Sequence, residues 1–315
     1  MRHKLRRYYL PDPSAPWPER FARRFTSRPV PDFPRTIQIE TQTGCNADCV
    51  FCDYGISSRT QPAGRMPPEL FRRIVEECAE NGVRRISPYL TNEPLADDRL
   101  PDLLADAGRR IPRAKIVLTT NGHFLSGEMA KRLLALDPPL HAIHVSFQGT
   151  DRTAYEAQMR GGLQFERTLA NLEAFARRLR DECRTRPRLQ VTMVATRGLD
   201  TRKAIAFWAD RGIAAKCTVL DNRGGNVAGA GALALLPRMS PYRNCPRLMK
   251  QMYVHFNGDV VLCCVDNSRT VVLGNAARQT LREIWNSPGA VEHRRRYIAR
   301  EFEGLPLCGT CTIDR

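Results

Sequence analysis

The sequence predicts an α/β protein: an open, partial (β/α)6 TIM-like barrel with a small C-terminal domain. Three observations predict it. Short apolar runs alternate with helical patterns six times from residue 36 to about 220. A Gly-rich break, from Arg223-Gly224-Gly225-Asn226 through Gly231, closes that alternation. Beyond it the texture changes to a cysteine-rich stretch with a hairpin pattern at Met252 to Val265.

The elements follow in order. Residues 1–35 are rich in Pro and Arg (Pro11, Pro13, Pro16, Pro18, Pro29, Pro31, Pro34) and carry no steady periodicity, so they are expected to form an extended N-terminal arm. Strands are expected at Thr36–Ile39, Arg85–Ser87, Lys115–Leu118, Ala142–Ser146, Leu189–Val194 and Ala215–Leu220. Apolar residues at three- and four-residue spacing mark helices over Glu69–Asn81, Gly127–Leu136, Phe165–Asp181 and Thr201–Arg211, with Gly82 and Gly212 as natural stops. Strand and helix in alternation imply a parallel sheet with right-handed crossovers. Six units are too few for the eight of a complete barrel. The expected domains are residues 36–230 for the partial barrel and 231–315 for the C-terminal unit.

Composition fits a folded chain. At 315 residues, with 42% hydrophobic and 26% charged residues, the protein can bury a core of ordinary size, and disordered, collagen-like and low-complexity classes are excluded. No apolar run approaches the roughly 18 residues of a membrane span, and the basic start leads into Tyr-Tyr-Leu-Pro rather than an apolar signal core, so no membrane partner and a cytoplasmic location are expected. The 49 Lys and Arg outweigh 33 Asp and Glu, giving +16. Such a field attracts nucleic acid, an anionic ligand or an acidic protein, but the Arg are dispersed along the chain, and a solvated surface explains them more simply than nucleic-acid binding. Eleven cysteines in a large chain without an export signal point to metal ligands or catalysts rather than to a disulfide scaffold.

Just after the first strand stands Cys45-Asn46-Ala47-Asp48-Cys49-Val50-Phe51-Cys52, a CxxxCxxC loop. Three thiolates can hold three irons of a [4Fe-4S] cube and leave the fourth open to an outside ligand. A structural zinc site would want a fourth Cys or His, and none lies nearby in sequence. The loop strongly resembles the hallmark of the radical S-adenosylmethionine (SAM) superfamily, CxxxCx-aromatic-C after the first strand of a partial barrel, with Phe51 as the aromatic. The resemblance implies that Cys45, Cys49 and Cys52 hold a [4Fe-4S] cluster whose open iron takes SAM, and that a 5′-deoxyadenosyl radical abstracts a substrate hydrogen. Supporting motifs are similar to the family's. Thr91-Asn92-Glu93-Pro94 stands where Gly-Gly-Glu-Pro is usual, which implies SAM contacts from Asn92 and Glu93, the acid facing the SAM ammonium. The departure from Gly-Gly puts the backbone contacts in question. Thr119-Thr120-Asn121-Gly122 matches a strand-ending turn of the family, and Ser146 and Arg160-Gly161 match SAM-contacting positions, with the Arg160 guanidinium facing the SAM carboxylate. Gln148 replaces an Asp common in relatives.

Past the break come Cys245, then Gly258 and Cys263 in C-x12-G-x4-C spacing, and Cys308-Gly309-Thr310-Cys311. This is similar to the SPASM or shorter twitch extension of radical SAM enzymes. It implies one auxiliary [4Fe-4S] cluster held by Cys245, Cys263, Cys308 and Cys311, so the C-terminal unit would be an Fe-S domain; a four-Cys zinc knuckle is the alternative.

Cys264 directly follows Cys263 and, on a strand, would face the opposite side, toward the barrel mouth. A thiol there can donate a hydrogen atom to a substrate carbon radical and invert a stereocentre. This resembles the radical SAM epimerases of aminoglycoside biosynthesis, of the neomycin C to neomycin B type. The expected function is therefore epimerisation of a small aminoglycoside or sugar substrate, with Cys264 catalytic and a flavodoxin- or ferredoxin-like electron donor as partner. A twitch-type alcohol dehydrogenase, a peptide-modifying enzyme and a basic Fe-S protein binding nucleic acid are the alternatives. A polycationic substrate would be repelled by +16, so an acidic pocket is required, for which Asp221, Asp259 and Asp266 are the candidates.

Overall fold

The computed structural model describes residues 30–58, 61–227, 229–234 and 245–311. Most of the expected arm, residues 1–29, and residues 235–244 of the C-terminal unit lie outside the described residues.

Six strands run parallel in chain order: β1 (Thr36–Ile39), β2 (Arg85–Ser87), β3 (Lys115–Thr120), β4 (Ala142–Ser146), β5 (Arg188–Ala195) and β6 (Ala214–Val219). Ile37 and Ile39 of β1, Ile86 of β2 and Ile143 and Val145 of β4 are fully buried, as expected where helices cover a parallel sheet. Helix α1 (Pro68–Glu80) starts on a proline in its first turn and buries Leu70, Phe71, Ile74, Val75 and Cys78 along one stripe. Helix α2 (Leu100–Arg110) follows β2, and α3 (Gly127–Leu134) follows β3. The remaining crossovers are α4 (Arg152–Met159) with α5 (Phe165–Asp181), and α6 (Thr201–Ala209). The sheet order is β6-β5-β4-β3-β2-β1, continued past β1 by three further strands of the C-terminal part, so it stays unclosed: a partial barrel.

The expected strands and helices are present within one or two residues at most ends, and α2 and α4 are additions. Pro101 and Gly108 hide α2 in the sequence, because both residues ordinarily interrupt a helix. Pro101 sits in the first turn, where its missing N–H costs nothing. Gly108 faces Pro138, where a Cβ would stand 3.0 Å from the ring Cδ. Helix α4 is two turns long and is started by Asp151, whose side chain accepts from the Ala154 N–H at 2.9 Å.

The C-terminal part continues the same sheet. After the short α7 (Pro246–Lys250), β7 (Gln251–Val254) lies parallel to β1 on the side away from β2, pairing Ile39 with Val254. The expected hairpin then forms between β7 and β8 (Asp259–Val261), and β9 (Val272–Asn275) completes the sheet. Its ladder ends at Val261, so Cys263 and Cys264 lie in the turn beyond. Helices α8 (Leu281–Trp285) and α9 (Pro288–Ala299) pack behind. Trp285 donates to the Pro31 carbonyl at 2.8 Å, and Phe33 is buried, which pins the end of the N-terminal arm. Among the described residues no helix is long and apolar enough to cross a membrane.

The barrel core includes an aromatic cluster that fixes α4, α5 and α6 against β4. Phe147 lies 4.3 Å from Tyr155 and 4.9 Å from Trp208, ring centre to ring centre, and all three are at most 1% exposed. Phe147→Ala is expected to cost about 3–5 kcal/mol, visible as a lowered urea midpoint with the unfolding slope unchanged.

Candidate active site

The loop from Gly44 to Cys52 crosses the carboxyl ends of the barrel strands, where ligands gather in open parallel sheets. It makes few regular hydrogen bonds of its own, and its neighbours supply them. The Glu93 N–H donates to the Gly44 carbonyl (2.8 Å), Gly162 N–H to the Asn46 carbonyl (2.8 Å), and the loop's Val50 N–H to the Gln158 carbonyl (3.0 Å). Cys45 N–H donates to the Tyr54 hydroxyl at 3.2 Å. Gly161, at φ 70°, lies so close that a Cβ would stand 2.7 to 3.0 Å from the backbone of Asn46, Ala47 and Asp48. The three thiols are brought together. Burial pushes Cys45 up to about 12, and Glu93 and Cys52 add to the rise. Cys49 is raised by burial and then by Cys52 and Cys45. Each thiolate penalises the others until a cation sits among them. Phe51 is buried in the core beneath the loop.

Glu93 is the organising acid. It is 2% exposed and accepts from Thr120 Oγ1 (2.5 Å), Asn121 N–H (2.7 Å) and Leu95 N–H (3.0 Å). Burial nevertheless pushes it up to about 7, because among the described residues it has no cationic partner. Beside it, Asn92 accepts from Leu90 N–H while its buried Nδ2 has no hydrogen-bond partner. An ammonium for the acid and an acceptor for the amide are what this corner lacks, and the amino-acid end of SAM offers both. Ser146 ends β4 opposite Thr192 and is half-buried.

Arg160, at the end of α4, meets the cysteine loop. Its guanidinium binds the cysteine loop itself, donating to the Asp48 carbonyl at 2.7 Å and pairing with the Asp48 carboxylate at 3.3 Å. Gln148, where an acid is usual, bonds the Val194 N–H and carbonyl of β5 at 2.8 and 2.6 Å and so serves the sheet.

The four later cysteines line one pocket. Cys245, Cys263, Cys308 and Cys311 share it with Leu248, Leu262, Val265, Tyr297, Phe302 and Leu307, and with one charged residue, Arg247: a largely apolar shell of the kind that excludes water from an Fe-S cube. Burial, with Cys245 and Cys311 nearby, pushes Cys308 up to about 12. Among the described residues no three His, Cys, Asp or Glu side chains converge as on a single metal ion. Ligands of a cube sit on separate irons and so stand further apart.

Cys264 does not line that pocket. The expectation that it faces away from Cys263 along a strand is corrected: β8 ends at Val261, and Cys264 lies in the turn beyond it. Cys263, with the guanidiniums of Arg247 and Arg223, holds the Cys264 thiol low. Arg223 also stabilises the Cys52 thiolate, so one guanidinium acts on both Cys52 and Cys264. Asp221, at the end of β6, bonds Arg247 at 3.0 Å and the Arg223 N–H at 3.0 Å. Asp259 pairs with Arg269 at 3.2 Å, and Asp266 accepts from Thr270 and Val271 N–H at 2.7 and 2.8 Å. None of the three acids is left to form the expected pocket for amines. Of the other thiols, Cys78 is buried in α1, Cys217 half-buried in β6 and Cys183 exposed.

Two groups escaped the sequence reading. Asn46 accepts from Asn121 Nδ2 at 2.7 Å, joining the cysteine loop to the Thr-Asn-Gly turn. Glu40, fully buried past the end of β1, bonds His255 Nδ1 at 2.9 Å, Phe256 N–H at 3.3 Å and the Thr91 hydroxyl. Burial raises the Glu40 carboxyl, but these bonds hold it below the ordinary value. An acid at the polar end of an apolar strand was the signal available for it.

Residues 39–198, half of the chain, match the radical SAM superfamily. The chain belongs to that superfamily. Residues 245–312 match SPASM, an iron-sulfur cluster-binding domain, which separates this set from a zinc knuckle. This radical SAM protein is 24% identical over 277 residues to the S-adenosyl-L-methionine-dependent 2-deoxy-scyllo-inosamine dehydrogenase of Niallia circulans, covering 87% of this chain and 91% of that one. It is 32% identical over 143 residues to the AdoMet-dependent heme synthase of Methanosarcina barkeri, a match spanning 44% of this chain and 38% of that one. Its fold is shared with BtrN in complex with AdoMet and 2-DOIA (TM-score 0.62, 22% identity, 89% and 93% of the two chains). The Streptococcus suis SuiB bound to precursor peptide SuiA shares it too (0.65, 16%, 90% and 71%). The cofactors are SAM and two [4Fe-4S] clusters.

Gly161→Val forces the cysteine loop away from the end of α4. The expected outcome is a reconstituted protein short of about four irons per chain with the remaining cluster retained, measured by iron analysis and absorbance.

Proposed function

We propose that this radical SAM enzyme epimerises a carbon of an aminoglycoside-type sugar or aminocyclitol, with Cys264 as the hydrogen-atom donor. Cys45, Cys49 and Cys52 hold the SAM-binding cluster, and Cys245, Cys263, Cys308 and Cys311 the auxiliary one. Glu93 and Asn92 meet the amino-acid end of SAM, flanked by Ser146, while Arg160 braces the loop through Asp48. The observation that carries the reading is the position of Cys264: outside the auxiliary pocket, yet acted on by the same Arg223 as Cys52.

Held at the cluster of Cys45, Cys49 and Cys52, SAM would supply, on one-electron reduction with release of methionine, a 5′-deoxyadenosyl radical able to take a hydrogen atom from a substrate carbon. Cys264, held low and so first taking up a proton, would then return one: its S–H bond breaks, a C–H bond forms on the opposite face, and the sulfur keeps the unpaired electron. One proton from solvent and one electron, from a flavodoxin- or ferredoxin-like donor drawn to the positive exterior, restore the thiol. Two guanidiniums against one carboxylate beside Cys264 suit a substrate with few amines better than a heavily aminated one.

The second reading is alcohol dehydrogenation, favoured by the dehydrogenase that resembles this chain over most of its length. There the substrate radical loses a second electron and a proton, a carbonyl is left, and Cys264 donates nothing.

Turnover in deuterated water distinguishes them. Epimerisation places one solvent deuterium at an inverted carbon, and Cys264→Ala still forms 5′-deoxyadenosine while yielding no inverted product. A carbonyl product without deuterium, unchanged in the Cys264→Ala variant, would establish the second reading instead. Glu93→Gln is expected to keep both clusters and to weaken SAM binding about 10–100-fold, the loss of a hydrogen bond to a charged group, measured by equilibrium dialysis.

A further inference from the structure

We infer that α9 tunes the auxiliary cluster, His293 and Tyr297 donating hydrogen bonds to its sulfurs from one face of the helix. The inference rests on the assignment of Cys245, Cys263, Cys308 and Cys311 as the cluster's ligands. His293 and Tyr297 are four residues apart, so their side chains lie one above the other. Both are buried, at 7% and 4% exposure. His293 Nε2 lies 3.3 Å from Cys308 Sγ, within hydrogen-bond range of a sulfur. Tyr297 lines the pocket together with all four cysteines, and its buried hydroxyl has no hydrogen-bond partner.

An orphaned hydroxyl in an apolar shell costs about 1–3 kcal/mol, a cost that an acceptor inside the pocket removes. Sulfide and thiolate sulfurs are acceptors only, so the N–H tautomer at Nε2 and the phenol O–H are the forms that fit them. The helix is held in place for this. The Arg294 guanidinium lies 4.4 Å from the centre of the Trp285 ring and donates to the Trp285 carbonyl at 2.5 Å, and the Tyr297 ring packs edge-on against Phe302 at 5.3 Å.

Hydrogen bonds to cluster sulfurs stabilise the more negative, reduced state and raise its potential. Each donor is therefore a positioning group for electron flow and touches no substrate. In a potentiometric titration of the reconstituted enzyme followed by electron paramagnetic resonance, Tyr297→Phe and His293→Phe should each lower the equilibrium constant for reducing the auxiliary cluster several-fold. The double variant should lower it by about tenfold or more, tenfold being ~59 mV for one electron. The SAM-binding cluster should not shift, and His293→Gln, which keeps an N–H donor, should recover much of the loss.

A full complement of iron with an unmoved auxiliary potential in Tyr297→Phe and in the double variant would overturn the inference. Loss of about four irons in His293→Phe but not in Tyr297→Phe would overturn it differently, making His293 a ligand. Tyr297→Phe keeps the ring and its packing, so it tests the idea even if a His293 variant fails to fold. Retention of the auxiliary cluster after removal of all four cysteines would instead overturn the underlying assignment.

Discussion

A loop that must offer three sulfurs to one inorganic body cannot also satisfy its own backbone, and the rest of the site follows from that constraint. Regular structure between Gly44 and Cys52 would pair N–H and C=O groups locally but would point the cysteines apart. The chain leaves the loop irregular and satisfies it from outside. Glu93 N–H reaches Gly44, Gly162 N–H reaches Asn46, and the loop's own Val50 N–H reaches Gln158. The partners come from the connections after β2 and β4, so the cysteines are placed by two separate parts of the barrel. Gly161 shows how tight the placement is, since its backbone approaches three loop residues too closely for any side chain.

The charge of +16 does not describe the site. Around Cys264 the local balance is Arg223 and Arg247 against Asp221, with Asp221 nearly buried between them. Clusters ligated by thiolates carry negative charge into a water-poor interior, and arginines between the two cysteine sets offset it. The acids that sequence proximity nominated for substrate amines are consumed by this and by turns: Asp266 closes the segment after Cys264 through two backbone N–H groups, and Asp259 orders the β8 and β9 junction with Asn275 and Arg269. Formal charge is readable from a sequence. Which charges already hold a partner is not.

The barrel was legible because periodicity and burial are the same fact seen twice: β1, β4 and α5 have the bounds their apolar patterns mark. Helix α2 was not, because Pro101 and Gly108 disguise it, and Gly108 answers to Pro138, thirty residues away. The cysteine sets were legible by spacing, since short loops around a cube permit few arrangements. The helix behind the second set was not. His293 and Tyr297 belong to no motif, and only the packing of α9 onto Cys308 gives them a place. Arg160 shows a further limit: a matched motif identifies a position near the loop, while the partner, Asp48, depends on how α4 ends at φ 46°.

The end of β8 deserves a different reading from the one strand alternation offers. Had the ladder run on, Cys263 and Cys264 would face opposite sides, and the division of labour between them would follow from the pleat alone. The register shifts between Val260 and Val261, and the strand stops. The turn that follows is fixed instead by Asp266 and by Asn267, whose amide donates to Asp53 beside Cys52 at 2.5 Å. The segment carrying Cys264 is thus tied directly to the first cysteine loop. Strand geometry would only have aimed a thiol outward; this turn joins it to the loop that holds the other three sulfurs, and the donor role we propose for Cys264 would gain more from that tether than from facing the right way.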